Sequence, residues 1–126
     1  MNNKTTGLNL SDLRLMNVKR CEDVFHKLDS WSPTDWGCAM AGECGEACNQ
    51  VKKLRRLDGA DASIDTPQYR KEITDRIASE IADTIIYADL LAARLGIDLS
   101  KAIIETFNEV SDRRGSDIKL QDTEKE

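Results

Sequence analysis

Ile77-Ala78-Ser79-Glu80-Ile81-Ala82-Asp83-Thr84-Ile85-Ile86-Tyr87 sets two carboxylates three residues apart inside a run that is otherwise mostly apolar. At roughly 100° per residue, side chains three apart on an α-helix project within about 60° of each other, so Glu80 and Asp83 share a face one turn apart. A solvent-facing acidic pair is not normally framed so closely by isoleucine and alanine, so this reads as a helix carrying its carboxylates inward. Upstream, Ala39-Met40-Ala41-Gly42-Glu43-Cys44-Gly45-Glu46-Ala47-Cys48 repeats the arrangement with Glu43 and Glu46. One such pair carries no weight, because acidic residues three apart are frequent on exposed helices. Two pairs on consecutive helices make a metal site if the helices pack antiparallel with these faces inward, since hard divalent cations take oxygen ligands. Carboxylates buried without a counter-charge are costly, so a cation, protonation or a basic partner must accompany them.

Outward from these pairs, local signals mark the element ends. Thr66 and Pro67 suit the N-cap and first position of the helix that holds Glu80 and Asp83, and Gly96 suits its C-terminal stop after Leu95. At roughly 1.5 Å per residue that helix exceeds about 40 Å, which leaves room for a kink or break near Thr74. The preceding helix spans residues 33–57, with Pro33 in its first turn. Gly37, Gly42 and Gly45 lie inside it at a cost of about 1 kcal/mol each relative to alanine, which points to close backbone packing or a site. Residues 58–65 are acidic, small and turn-rich, hence a loop. A first helix over residues 11–28 follows from the spacing of Leu15, Val18, Cys21, Val24, Phe25 and Leu28, with Ser11 or Asp12 as cap. A fourth begins after Asp98, with Leu99, Ala102, Ile103, Phe107 and Val110 on one face, and ends before Gly115. The expectation is a single all-α domain over residues 1–126, a bundle of four main helices, with residues 1–10 and 121–126 flexible.

Composition narrows the function. A formal charge of -5 argues against a general nucleic-acid binder, which needs a basic face to displace counterions. With charged residues at 33% and hydrophobic residues at 40%, the chain has enough apolar side chains to fold. No apolar run approaches the roughly 20 residues that span a bilayer, and the first ten residues lack the apolar centre of an export signal, so no membrane and a cytoplasmic location are expected. Cys21, Cys38, Cys44 and Cys48 are then expected to be reduced thiols. Cys44 and Cys48 share a helix face; they read as small packing residues or, with His26, as the start of a zinc site.

Glu43-Cys44-Gly45-Glu46 followed by Glu80-Ile81-Ala82-Asp83 resembles the E-x-x-E … E-x-x-D signature of the all-α nucleoside triphosphate pyrophosphatases, the MazG-like and dCTP pyrophosphatase-like group. Thr84-Ile85-Ile86-Tyr87 through Leu90-Leu91-Ala92, then Leu95-Gly96-Ile97-Asp98-Leu99, is similar to that family's third helix, turn and fourth-helix start. Phe107-Asn108-Glu109-Val110-Ser111 with Arg113-Arg114-Gly115 is similar to its following segment. The resemblance covers roughly residues 24–120. Two departures stand out: residues 57–66 look like an insertion, and Thr106 stands where the family often has a lysine.

The resemblance implies a MazG-like fold and cleavage of a (deoxy)nucleoside triphosphate to monophosphate and pyrophosphate. Mg2+, or Mn2+ in its place, would be held by Glu43, Glu46, Glu80 and Asp83, with Glu43 or Glu46 doubling as general base. It also implies that Arg113, Arg114 and Lys119 close over the phosphates. Lys53, seven residues after Glu46, lies only about 20° off its direction and reads either as a phosphate contact or as a surface charge. Trp36, seven before Glu43, Trp31 in the preceding connection, and Tyr87, seven after Glu80, are candidate contacts for a base, or core aromatics; Asn108 offers an amide. His26 reads as structural or exposed. The apolar surface of the third helix extends around more than one face, so a homodimer or homotetramer is expected. Two rival readings stand beside this one: a non-enzymatic metal-binding assembly module, and phosphoribosyl-ATP pyrophosphohydrolase-like activity.

Overall fold

Ser32 and Asp35 open the longest packed pair of elements: the Asp35 amide donates to Ser32 Oγ at 3.2 Å, and the Asp35 carboxylate accepts from the Ser32 amide at 2.8 Å. This reciprocal cap, with Pro33 in the first turn, starts α2 (Pro33–Arg56). Thr66 and Pro67 start α3 (Pro67–Arg94) in the same manner, the Tyr69 amide donating to Thr66 Oγ1. The computed structural model describes residues 5–123; among them the chain is all-helical, without strands, and also contains α1 (Leu10–Arg20) and α4 (Leu99–Arg113). The flexibility expected of residues 1–4 and 124–126 concerns positions outside the described residues.

Gly96 and Gly115 stop α3 and α4 with φ of 68° and 70°, the left-handed region that costs other residues a steric clash. After each, an amide reaches back to the helix, Ile97 to the Ala92 carbonyl and Ser116 to that of Ser111, both at 2.8 Å. Asp98 caps α4 by accepting from the Lys101 amide. α3 is unbroken at Thr74, whose hydroxyl donates to the Arg70 carbonyl while the backbone ladder continues.

The N-terminal segment departs from expectation. Asn9 is the cap of α1, its Oδ1 accepting from the Asp12 amide at 2.8 Å, so the leader is anchored by residue 9. The helix ends at Arg20, and Cys21–Phe25 widens into a π turn in which the His26 amide reaches the Cys21 carbonyl. A short 3₁₀ turn, Leu28–Ser30, follows, its first amide donating to the Glu22 carboxylate.

α2 and α3 lie antiparallel: Trp36 faces Tyr87 at one end, and Arg70 reaches back to Asp58 beyond the other. α1 crosses the C-terminal half of α3, where Asn17 Nδ2 donates to the Ile86 carbonyl. The core forms where these three meet, around Cys21, Trp36 and Leu90, with Leu57 and Ile73 buried at the far end of the α2–α3 pair. The loop between α2 and α3 is pinned by Arg70, which donates to both Asp65 and Asp58, and by the Arg56–Asp61 pair. α4 touches α1 and has little contact with α2 or α3.

Much of the apolar surface is uncovered. Ile81 and Ile85 on α3 are about half exposed, as are Ile103, Phe107 and Val110 on α4. On α2, Cys38, Ala41, Cys44 and Cys48 are exposed, and a Cβ added at Gly37, Gly42 or Gly45 would meet nothing within 4 Å. The close packing expected of these glycines and cysteines is therefore not made inside the chain. No helix of the described residues is long and apolar enough to cross a membrane.

Candidate functional site

Where α2 and α3 face each other at mid-length, Glu43, Glu46 and Glu80 each bring a carboxylate oxygen to within 4.8 Å of the other two. Glu43 and Glu80 are half-buried and Glu46 is exposed. Glu80 Oε2 is buried without a hydrogen-bond partner. Burial, and then the neighbouring Glu43 and Glu46, push the Glu80 carboxyl up to about 7. Asp83 does not join this group. One turn further along α3 it is displaced toward α1, and it borders a separate cavity instead.

The three-glutamate set fits a hard divalent cation. Every donor is a carboxylate oxygen, the like charges need neutralising, and a buried acceptor without a partner is what a cation would satisfy. Soft-metal chemistry finds no such support: among the described residues no ligand group of three or more includes Cys44 or Cys48.

The cavity that Asp83 borders has a volume of about 380 Å³ and is walled by His26, Trp31, Trp36 and Tyr87. The His26 ring stacks on Trp31 with centroids 4.5 Å apart, and Trp31 meets Trp36 at 4.6 Å. Trp36 is also a core residue, 2% exposed, its indole N–H donating to the Leu28 carbonyl at 3.0 Å. Trp31 is half-buried, and its backbone carbonyl is held by Arg94. An apolar, aromatic-walled cleft with a few polar residues in its lining, here Asn17, Arg20 and Asp83, has the character of a small-molecule site.

On the other side of the glutamates, Glu46 and Glu80 share a polar cleft with Asn49, Gln50, Lys53 and Arg56. The seven-residue spacing from Glu46 thus does place Lys53 beside the carboxylates. Asn108, Arg113, Arg114 and Lys119 lie elsewhere in this chain. The Asn108 amide is engaged with the backbone of Leu120 through both its oxygen and its nitrogen, and Lys119 pairs with Asp112. Arg113 ends α4 and Arg114 caps it, both exposed.

Gln50 and Arg56 are site residues that the sequence did not single out for a role, and His26, read there as structural, exposed or a zinc ligand, instead walls the aromatic cavity. Gln50 and Arg56 lie four and ten residues after Glu46, and the helical stripe that selected Lys53 would have reached Gln50 as well. His26 comes to the cavity only because the π turn redirects the chain. Comparison with protein-family models and with curated proteins finds no match to this chain.

Proposed function

We propose that this chain hydrolyses a (deoxy)nucleoside triphosphate to the monophosphate and pyrophosphate in a Mg2+-dependent reaction, clearing or balancing a nucleotide pool. The observation that carries the reading is the convergence of Glu43, Glu46 and Glu80 around the buried, partnerless Glu80 Oε2, beside an aromatic cavity that suits a nucleobase. The resemblance of Glu43-Cys44-Gly45-Glu46 and Glu80-Ile81-Ala82-Asp83 to the MazG-like signature also supports it.

In this reading Glu43, Glu46 and Glu80 hold the cation, and the resemblance adds Asp83, the carboxylate that borders the aromatic cavity. Bound magnesium neutralises triphosphate charge and makes water at the site easier to deprotonate. Glu46, exposed and reached by solvent, accepts the proton of the attacking water. The water oxygen bonds to the α-phosphorus, the bond from that phosphorus to the bridging oxygen breaks, and pyrophosphate leaves with the electron pair. Trp31 and Tyr87 receive the base by ring contact, with the buried indole of Trp36 as the floor beneath them. The chain works as a homo-oligomer, in which a second copy covers the apolar faces of α3 and α4.

The test is pyrophosphate release from the common dNTPs, dUTP and modified nucleotides, with Mg2+ and with EDTA, by wild type and Glu80→Gln. Metal-dependent release that the substitution abolishes while the protein stays folded is expected. No release from any nucleotide by the wild type would overturn the reading.

A further inference from the structure

Beyond the glutamates, α2 continues as Asn49-Gln50-Val51-Lys52-Lys53-Leu54-Arg55-Arg56 and, with Glu46 and Glu80, walls a polar cleft of about 420 Å³. Its polar groups want two opposite things. Glu80 Oε2 and Gln50 Oε1 are buried acceptors without partners, and need donors or a cation. Lys53 is half-buried and has no hydrogen-bond or ion-pair partner among the described residues, and Arg56 holds Asp61 only at 3.3 Å, so both offer donors to an anion. A simple anion leaves the two acceptors unsatisfied, and a bare cation leaves Lys53 and Arg56 unused. A phosphate chain complexed with hydrated magnesium brings acceptors, a cation and water donors together.

The order of groups along α2 selects which phosphates these are. Trp36 precedes Glu43 by seven residues and Lys53 follows Glu46 by seven, each interval about 10 Å of helix. The aromatic cavity therefore lies at one end of the acidic group and the cations at the other, in the sequence base, cleavage point, terminal phosphates. We propose that the Gln50–Lys53–Arg56 cleft is a pyrophosphate subsite, which holds the β- and γ-phosphates of the substrate, retains the released magnesium pyrophosphate and selects triphosphates over diphosphates. This rests on the hydrolase reading for its place in catalysis, but the binding itself is measurable without turnover.

The experiment is calorimetric titration of inorganic pyrophosphate with Mg2+ into wild type, Lys53→Gln/Arg56→Gln and Asp61→Asn, alongside dNTP kinetics. The double substitution is expected to weaken pyrophosphate binding about tenfold or more and to raise KM with a smaller change in kcat. Binding of the nucleoside monophosphate is expected to change less than about twofold, a difference too small for a lost charge-assisted contact. Asp61→Asn, which frees Arg56, should bind pyrophosphate as tightly as wild type or tighter. Unchanged pyrophosphate binding in a folded double variant, or no binding by wild type, overturns the subsite even if nucleotides are hydrolysed. Charge-dependent pyrophosphate binding without hydrolysis of any nucleotide keeps the subsite and overturns the hydrolase reading.

Discussion

Arg14 Nε lies 2.9 Å from Oδ1 of Asp89, a carboxylate with no exposed surface. Asn17 Nδ2 reaches the other oxygen at 3.1 Å, and Arg14 also donates to the Ile97 carbonyl. One buried charge thereby ties α1 to α3 and to the turn before α4, and sets α1 in the position from which Cys21 joins the core. Removing the arginine leaves that charge buried with only Asn17 to answer it. Arg14→Met is expected to cost about 3 kcal/mol, the lower end for a broken buried pair because Arg14 keeps 29% of its side chain exposed. Arg14→Met/Asp89→Leu should recover most of the loss. Urea unfolding followed by circular dichroism decides, and equal stability of the single variant and wild type would remove the pair from any structural role.

Glu80 makes a prediction about pH. Its folded-state pKa, about 7, lies above the ordinary carboxyl value of 4.5, so the native state binds the proton more tightly than the unfolded chain does. The sign follows: this stabilising contribution is complete below about pH 4.5 and is lost as pH rises through 7. In EDTA, wild type should therefore lose stability relative to Glu80→Gln between these limits. Magnesium should abolish the loss, because the cation favours the ionised carboxylate, and its binding near pH 7 should release a proton. Thermal melts of both proteins across pH, with and without Mg2+, measure this; parallel profiles for the two proteins would contradict it.

The two tryptophans should separate by role. Trp36→Ala removes a buried core side chain and its hydrogen bond to Leu28, and is expected to cost about 3–5 kcal/mol. Trp31→Phe keeps a ring in the half-buried wall of the cavity, and Trp31→Ala removes it, so affinity for the nucleoside monophosphate should fall with alanine and hold with phenylalanine. If Trp31→Ala binds the monophosphate as wild type does, the cavity is not the base site.

Most helix ends were legible because they are decided by chemistry within four residues: Pro33, Thr66-Pro67, Asp98 and Gly96 each act where the sequence places them. The break after Arg20 was not, because Val24 and Phe25 continue the apolar spacing while the structure leaves both exposed; contacts of Glu22 with Leu28 and of Cys21 with the core decide it. At the site, helical period puts Glu43 and Glu46 on one face of α2 and Glu80 on a face of α3, and antiparallel packing brings the two faces to one seam. The period cannot tell that Asp83, on the same face of α3, falls to the cavity side, since that depends on where α1 crosses. Asp89 carries no local signal for the same reason: its partner Arg14 is 75 residues away.

The assembly prediction follows from what the chain leaves bare. α4 concentrates Leu99, Ala102, Ile103, Phe107 and Val110 on one side, yet Ile103, Phe107 and Val110 remain 41–42% exposed, and Ile81 and Ile85 on α3 face outward at 52% and 48%. Isolated exposed apolar residues are ordinary, but an amphipathic helix that barely touches α2 or α3 has its apolar stripe without a partner. A second copy would supply one. Wild type is therefore expected to sediment at a multiple of its 14.1 kDa mass, and Phe107→Glu/Val110→Lys to shift it to monomer while far-UV circular dichroism stays helical. A wild type that sediments as monomer at micromolar concentration would leave these faces for a different partner and refute the homo-oligomer.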